Sequence, residues 1–394
     1  MNLKSTPVAI LLLGFLSCQP PSDRIPDLPP PTLPTTVRYE TGPKGKDLAA
    51  AEFATPPYGP LLALDSLGFP APPAELSLAL ERQRQLIDRR WQNRTELPGP
   101  HELDGTALRT LHAQLTTWLK ETDPSALSGF RAVPLSGQDG RGNVKFTGYY
   151  APELEVRHQP NTTFRYPIYR FPKGWEGRLP NRRAIDEQGV LRGKGLEIAY
   201  AADPVDVYYL QLQGSGYLNF VDTGERRLVT YDGTNRHRYR SMERAVKRHP
   251  DLRPRRLDQQ YLKPFLAKHP KIRQEVLNAN PSYTFFRESE RTLSGAAGIP
   301  LTAGLSVAVD PEVVPLGSVL LAALPISEDG VVTHHEYRLF FAHDTGGKIR
   351  GSGRVDVFFG SGAEAAAAAG KLYHYGKLWI LHPADAEQLV ASLT

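Results

Sequence analysis

Apolar residues recur at helical spacing in two early segments of the chain. In the first, which starts near Glu75, the repeating positions are Leu76, Leu80, Ile87 and Trp91. In the second, which follows the candidate N-cap Asp104, they are Leu108, Leu111, Leu115 and Leu119. Stripes with this spacing are typical of amphipathic helices. We therefore expect two helices whose apolar faces pack on a core.

From Val144 onward the pattern changes to alternating apolar and polar positions with many β-branched and aromatic residues. This pattern favours strands, and the first candidates are 144–150, 164–171 and 206–212. Between Ser241 and Asn278, prolines divide a helical stretch into short pieces. An alanine-rich helix is predicted at 363–369. The candidate strands after Pro300 are 301–309, 318–324, 337–343, 355–359 and 378–381.

The order of these elements indicates the fold class. Helices, strands, helices and strands follow one another without a βαβ repeat, and 394 residues are enough for two domains. The pattern therefore favours an α+β fold, mainly β and built on β-barrels, over a doubly wound sheet.

The first 18 residues predict an exported protein. Lys4 precedes an apolar run, 8–16, that has the length of a signal-peptide core and is too short to span a bilayer. The run ends in FLSC (15–18), which resembles the lipobox of bacterial lipoproteins and implies a lipid on Cys18. Gln19 then favours the outer membrane, with the protein facing the periplasm. A plain leader that contains a cysteine is the alternative.

Proline-rich sequence from 19 to 74 predicts an extended tether between the membrane and the folded region. The tether would give the folded part reach from the membrane surface.

The composition narrows the chemistry that the chain can perform. A single cysteine excludes internal disulfides and thiolate metal clusters, so any metal would need His, Asp or Glu ligands. His334 and His335 are neighbours that point to opposite faces of an extended chain, so no metal site is expected there. Gly214 and Gly216 lack the lysine and helix N-terminus of a phosphate loop, and no cofactor is expected.

The net charge is +5, from 47 Lys and Arg against 42 Asp and Glu. This mild excess suits an anionic partner and is too small for a dedicated nucleic-acid binder.

Three aspartates near the C-terminus are candidate catalytic groups. Asp310 and Asp344 precede turn residues, where an Asp side chain commonly bonds backbone amides. Asp356 differs, because strand alternation places it on one face with Arg354 and Phe358, while the other face carries Val355, Val357 and Phe359. Apolar surroundings favour a neutral carboxyl that can act as a general acid, whereas a close arginine favours the ionised form. This pattern alone leaves structural and catalytic roles open.

Several further motifs occur upstream in a fixed order. They are TGYYAPE (147–153), YPIYRFP (166–172), LQGSGY (212–217), NPSYTFFRE (280–288) and GIPLTAGLSVAVDP (298–311). Together with AHDTGGKIRG and RVDVFFG around Asp344 and Asp356, they resemble the membrane-bound lytic transglycosylase A family of murein-cleaving enzymes. The segment 304–381 resembles the three-aspartate (3D) domain of that family, and the whole resemblance covers about 104–383.

The resemblance implies a double-psi β-barrel main domain, formed by 75–150 and 240–394 together with its helices. A smaller β-domain, 151–239, is inserted into it, and a groove for a glycan strand lies between the two. The resemblance also implies that Asp356 acts on the sugar, that Asp344 and Asp310 support it, and that the glycan is contacted by Tyr149, Tyr150, Gln213 and Ser215.

The activity implied by the resemblance is cleavage of the β-1,4 bond between N-acetylmuramic acid and N-acetylglucosamine without water. Neutral Asp356 would protonate the departing oxygen, the C6 hydroxyl would attack C1, and ionised Asp356 would take the hydroxyl proton. The product is a 1,6-anhydro sugar. Most glycosidases need a second carboxylate, whose place the internal nucleophile takes here. The expected partners are peptidoglycan glycan strands, and a cell-wall synthesis complex is a further candidate.

Two other functions stay open at the level of sequence. A murein or β-glucan hydrolase would use Asp310 or Asp344 as a general base for water. A non-catalytic envelope lipoprotein would bind murein without cleaving it. The basic residues around the glycine-rich turn either steer an anionic substrate or form a solvated loop; they are Lys348, Arg350 and Arg354.

Overall fold

The computed structural model describes residues 62–63, 72–90, 103–121, 130–137, 140, 142–255, 257, 259–328, 331–347 and 349–383. The predicted signal peptide with Cys18, most of the tether, Trp91 and Lys348 lie outside the described residues. Within the described ranges, no helix combines the length and apolar character needed to cross a membrane.

The described chain contains both helices and strands, and sheets form most of its framework. The helices are α1 (Leu76–Arg90), α2 (Gly105–Glu121), α3 (Arg182–Asp186), α4 (Pro204–Gln213), α5 (Met242–Arg248), α6 (Gln259–Ala267), α7 (Pro270–Asn278) and α8 (Gly362–Lys371). The strands are β1 (Leu62–Ala63), β2 (Arg131–Pro134), β3 (Val144–Ala151), β4 (Glu153–Arg157), β5 (Tyr166–Tyr169), β6 (Glu197–Ala201), β7 (Ser215–Phe220), β8 (Arg226–Thr234), β9 (Thr284–Ser289), β10 (Ser306–Val309), β11 (Val319–Glu328), β12 (Val331–Thr345), β13 (Arg354–Ser361) and β14 (Tyr373–His382).

The two early amphipathic helices are confirmed as α1 and α2. Asp104 caps α2 as predicted, because its Oδ1 accepts the N–H of Ala107 at 2.7 Å. The apolar stripes of both helices are buried in the main core together with residues of the strands, at Leu76, Leu80, Ile87, Leu108, Leu111 and Leu115.

The first sheet closes into a ring. Its strands pair in the order β3, β14, β11, β12, β10, β13 and back to β3, while β2 and β1 extend it from β14. Two pairs in the ring are parallel, β10 with β12 and β13 with β3, and the others are antiparallel. Phe146, Phe340 and Val355 are fully buried in the core of this ring. The strands predicted after Pro300 are thereby confirmed as β10 to β14.

A second sheet has the strand order β5, β6, β4, β7, β8 and β9. Pro152 joins it directly to the ring, since β3 ends at Ala151 and β4 starts at Glu153. Its last strand, β9, lies beyond residue 239, where the sequence prediction ends the insert.

The strand predicted at 206–212 is wrong, because this segment is helix α4. Asp203 caps it by accepting the N–H of Val205, Pro204 occupies its first turn, and Gly214 ends it in the left-handed conformation at φ 80°. These end signals outweigh the β-branched and aromatic composition. The apolar residues of α4 pack on helices α5, α6 and α7 through Val205, Tyr208, Met242, Val246, Leu262 and Leu266.

Candidate active site

A groove with a volume of about 2440 Å³ separates the ring from the second sheet. The ring contributes the side chains Asp344, Asp356 and Phe358 to its lining. The second sheet and α4 contribute Gln213 and Ser215 from the opposite side. The side chains of Asp344 and Asp356 therefore line the same groove.

Asp356 lies on β13, among the residues that the ring contributes to the groove. In β13 it pairs in register with Thr147 of β3 on one side and with Ala308 of β10 on the other. Arg354 and Phe358, two positions away along the strand, line the groove with it. The strand alternation predicted from sequence is thus confirmed, since Val355 and Val357 are buried in the core.

The Asp356 carboxylate is held by two side chains. Arg354 donates from Nε to Oδ1 at 2.9 Å and from Nη2 to Oδ2 at 3.0 Å. The Thr147 hydroxyl donates to Oδ1 as well. The Asp356 side chain keeps 15% of its surface exposed, so a ligand in the groove can reach it.

Lys145 is a member of this cluster that the sequence reasoning missed. It pairs in register with Arg354, and its Nζ lies 3.3 Å from the ring centroid of Tyr373. Burial and the positive charge of Arg354 lower the pKa of Lys145 to about 8. Strand alternation puts Lys145 on the same face of β3 as Thr147 and Tyr149, but its approach to Arg354 depends on the pairing of β3 with β13.

Asp344 lies at the end of β12 in a different environment. Its Oδ1 accepts the backbone N–H groups of Ala296 and Thr345, both at 2.9 Å, and its Oδ2 accepts the Tyr149 hydroxyl at 2.8 Å. Burial raises the pKa of Asp344, although these hydrogen bonds oppose the change. Burial also raises the pKa of Tyr149 well above its usual range. The Tyr149 ring packs against the Phe358 ring, with the two ring centroids 5.3 Å apart.

Asp310 is buried and is absent from the described residues that line the groove. Its Oδ2 accepts the N–H of Gly351 at 2.7 Å, and its Oδ1 accepts the N–H of Glu312 at 3.2 Å. It therefore anchors the glycine-rich loop that leads to Arg354.

The remaining predicted glycan contacts lie along the groove. Gln213 ends α4 and Ser215 starts β7, with Gly214 making the sharp turn between them. Tyr150 lines the groove but is largely buried, and its hydroxyl donates to Gln259 of α6. Burial raises the pKa of Tyr150 to about 12.

The other charged groups singled out from sequence have separate partners. Arg350 donates to the backbone oxygen of Ile349 at 2.9 Å. His334 lies 3.3 Å from Glu336, whereas His335 lies 3.2 Å from the backbone oxygen of Tyr375. Among the residues that the structure describes, no group of three or more His, Cys, Asp or Glu side chains is arranged to hold a metal ion.

Two domain families match the sequence. The MltA specific insert domain matches residues 145–287, and the 3D domain matches residues 305–382. The membrane-bound lytic murein transglycosylase A of Vibrio cholerae is 36% identical over 280 residues, which cover 69% of this chain and 75% of that relative. The protein of the same name from Escherichia coli K12 is 36% identical over 260 residues, or 65% of this chain and 70% of that relative.

Solved structures of similar proteins share the fold. The crystal structure of Escherichia coli MltA with bound chitohexaose matches with a TM-score of 0.72 and 31% identity, covering 84% of this chain and 96% of that chain. The membrane-bound lytic murein transglycosylase of Agrobacterium tumefaciens matches with a TM-score of 0.62 and 28% identity, covering 80% of this chain and 94% of that chain.

Proposed function

Because the chain belongs to the membrane-bound lytic murein transglycosylase A family, we propose that Asp356 is the side chain that moves the proton in its reaction. The protein is a peptidoglycan lytic transglycosylase. What distinguishes Asp356 from the other two aspartates is the kind of partner that holds it.

The hydrogen-bond partners of the three carboxylates carry this assignment. Asp310 and Asp344 each accept two backbone N–H groups, which are fixed by the fold. The partners recorded for Asp356 are the side chains of Thr147 and Arg354, which can rotate away. Side-chain partners can rearrange when a carboxyl changes between its neutral and ionised forms, and this supports Asp356 as the group that moves the proton.

The proposed reaction has two proton transfers and no added water. Neutral Asp356 gives its proton to the glycosidic oxygen of the departing N-acetylglucosamine while the bond from that oxygen to C1 of N-acetylmuramic acid breaks. The C6 hydroxyl oxygen of the same muramic acid bonds to C1, and the Asp356 carboxylate accepts the hydroxyl proton. The product carries a 1,6-anhydro ring, and Asp356 is neutral again. Holding the nucleophile in the substrate replaces the second carboxylate of ordinary glycosidases.

We further propose that the glycan lies along the groove against Tyr149, Tyr150, Gln213 and Ser215. These side chains come from both walls, and the Escherichia coli relative was crystallised with chitohexaose, a β-1,4 sugar polymer. Asp344 would support the site by fixing the Tyr149 hydroxyl, and Asp310 would support it by fixing the loop before Arg354.

The type of barrel, the bounds of the inserted unit and the membrane anchor are also proposals. The ring, with its parallel pairs β10–β12 and β13–β3, would be a double-psi β-barrel. The inserted unit would extend from Pro152 to β9, because β9 completes the second sheet. A lipid on Cys18 would anchor the protein to the outer membrane, where it would act on glycan strands, alone or within a cell-wall synthesis complex.

A digest of purified murein tests the reaction and the proton donor together. Wild-type protein should release 1,6-anhydro muropeptides, which mass spectrometry separates from hydrolytic products because they are lighter by one water. Asp356→Asn should lower the turnover number by about 10²–10⁴. Asp310→Asn is the matched control and should keep the same product. Products heavier by one water would favour a hydrolase, and cleavage by Asp356→Asn at the wild-type rate would refute the assignment.

A further inference from the structure

Positive charge is concentrated in one segment of the chain. Residues 236–275 contain 13 Lys and Arg against 4 Asp and Glu, a net charge of +9, whereas the whole chain carries +5. The rest of the sequence is therefore net acidic, at −4. The segment includes helices α5, α6 and α7, which pack on one another and on α4. A concentration of one sign of charge on a small helical unit indicates a surface for an anionic partner.

Three exposed cations of this segment share one face of α5. They are Arg244, Lys247 and Arg248, at positions i, i+3 and i+4 of the helix. Met242 and Val246 of the same helix are buried in the core of the helical unit. Among the residues that the structure describes, none forms an ion pair with the three cations. We call these three residues the α5 patch, and their charge is available to a ligand.

Acidic groups close to the α5 patch along the helices have other partners. Glu243, in the first turn of α5, accepts the Ser241 hydroxyl at 2.8 Å. Glu275 of α7 lies 3.6 Å from His249. Neither carboxylate is within ion-pair distance of the α5 patch, so the net positive charge of this surface is not cancelled locally.

The α5 patch adjoins the groove of the candidate active site. Tyr239 and Glu243 both line the groove, and Arg244 is the next residue of α5 after Glu243. Arg248 lies about 6 Å beyond Arg244 along the helix axis, at 1.5 Å per residue. A polymer that leaves the groove past Glu243 therefore meets a row of cations on α5.

Murein fits this surface better than a lipid membrane does. The peptide stems of murein carry free carboxylates, and they project sideways from a glycan strand that lies in the groove. Helical surfaces that bind membranes combine basic residues with exposed apolar residues that enter the headgroup region. The large apolar side chains that are exposed in the described residues all lie outside 236–275: Leu78, Leu212, Val221, Tyr231 and Tyr373.

We propose that the α5 patch is an exosite for the stem-peptide carboxylates of intact murein, outside the groove that holds the glycan. The inference deepens the proposed function and rests on murein as the substrate. No covalent bond changes at the exosite. Because this contact is the same before and during bond cleavage, it should lower KM for peptide-bearing murein and leave kcat unchanged.

Co-sedimentation with intact, peptide-bearing murein sacculi measures the exosite without turnover, when every protein carries Asp356→Asn. The triple variant Arg244→Gln, Lys247→Gln and Arg248→Gln should bind about tenfold more weakly than this parent, the combined effect of three exposed charge contacts. Raising the salt from about 50 to about 300 mM should weaken the parent more than the triple variant.

The matched control removes three exposed cations from α1 and α2, whose apolar faces pack in the main core and whose cations are absent from the groove lining. Its substitutions are Arg89→Gln, Arg109→Gln and Lys120→Gln. The control should bind sacculi like the parent. Equal loss of binding in the control and the triple variant would show that total charge, rather than the α5 patch, sets the affinity.

The ligand side of the contact can be changed separately. Sacculi whose carboxylates are converted to methylamides should bind the parent and the triple variant equally weakly. Chitohexaose is uncharged and reports on the groove alone. Calorimetric titration should give the parent and the triple variant the same affinity for it, which shows that the substitutions leave the groove intact.

The outcomes separate the exosite from the function on which it rests. If the triple variant binds native sacculi as tightly as the parent, the exosite is refuted. If it loses affinity for vesicles of phosphatidylglycerol and phosphatidylethanolamine but keeps its affinity for sacculi, the α5 patch is a membrane surface and the proposal is overturned. The proposed function fails on a different observation, namely cleavage by Asp356→Asn at the wild-type rate or products heavier by one water in the murein digest.

Discussion

Asp356 and Asp344 line the same groove, and their carboxyl groups have different hydrogen-bond partners and different exposure. Backbone N–H groups and the Tyr149 hydroxyl hold Asp344 in one position, while burial raises its pKa. Asp356 is held by side chains and stays partly exposed. These different partners support the proposal that Asp356 carries the proton and that Asp344 holds Tyr149 in place.

Lys145 offers a direct measure of the charges around Asp356. We expect its amine to titrate near pH 8, because burial and Arg354 both lower its pKa. Arg354→Gln removes the repelling charge and should raise the pKa of Lys145, whereas Asp356→Asn removes the attracting charge and should lower it further. NMR detection of the lysine side-chain nuclei across a pH titration follows all three proteins. A wild-type value near the ordinary lysine value of about 10.4 would contradict the cluster as described.

At the scale of elements, Asp310 links the loop between β12 and β13 to the turn after β10. Asp310 accepts two backbone N–H groups, and an asparagine oxygen can replace the carboxylate at one of them only. Asp310→Asn should therefore lower the free energy of unfolding by about 1–3 kcal/mol, as measured by urea denaturation. The pH profile of the remaining activity should keep its shape. Loss of activity with unchanged stability would instead place Asp310 in the chemistry.

Helix α1 is joined to the ring through a buried histidine. His343 contacts Ser306 through Nδ1 and Gln83 of α1 through Nε2, both at 2.9 Å. Gln83 Nε2 donates to the Gly317 carbonyl, so Gln83 Oε1 faces His343 and accepts the Nε2–H of the imidazole. Ser306 Oγ accepts the N–H of Thr302 and donates its own hydrogen to Nδ1 of His343. This hydrogen-bond pattern assigns a neutral imidazole. Burial and the charge of Arg82 lower the pKa of His343 to about 3.

This histidine should make the stability sensitive to acid. The folded pKa is below the unfolded value of about 6.5, so the contribution of His343 is complete above that pH and is lost as the pH falls toward about 3. Within that window the loss amounts to about 1.4 kcal/mol per pH unit. His343→Gln should remove this part of the acid slope in urea denaturation at a series of pH values. An equal slope in both proteins would show that His343 is protonated when folded.

The elements that could be predicted from sequence are those with a strong local pattern. The stripes of α1 and α2 and the alternation in β13 identify a buried face without knowledge of any partner. Helix α4 was misassigned because its β-branched and aromatic residues are buried on several sides, so its composition favours a strand while its ends specify a helix. Strands β4, β6, β7 and β8 are short or half-exposed and gave too weak a pattern to assign.

For the candidate active site too, local patterns could be predicted from sequence and long-range contacts could not. The face of Asp356 followed from the alternation within β13, and Arg354 could be placed beside it for the same reason. Thr147 and Lys145 could not, because their approach depends on the parallel pairing of β13 with β3, which are separated by about two hundred residues in sequence. Local patterns do not encode which strands become neighbours at such a distance.

At the scale of the whole molecule, the groove depends on how the chain passes from the ring into the second sheet. Strand β3 presents Tyr149 to the groove, and two residues beyond Ala151 the chain is already in β4. The Pro152 carbonyl at this crossing accepts the N–H of Tyr217 in β7 at 2.8 Å. Ser361, at the end of β13, donates to Glu153 at 2.7 Å and adds a second link between the ring and the second sheet.

Gly216 is the position where this crossing leaves no space for a side chain. A Cβ there would lie 2.6 Å from both the Pro152 carbonyl oxygen and the Leu210 side chain. Gly216→Ala should therefore force β7 away from the crossing, lower the free energy of unfolding by about 1–3 kcal/mol and weaken chitohexaose binding, because Ser215 lies on the same strand. Urea denaturation and calorimetric titration measure the two effects.

Gly370→Ala, in α8 with open space around its Cβ, is the control and should be neutral or stabilise by up to about 1 kcal/mol. Equal behaviour of the two variants would show that the close approach of β7 to Pro152 does not set the position of the second sheet.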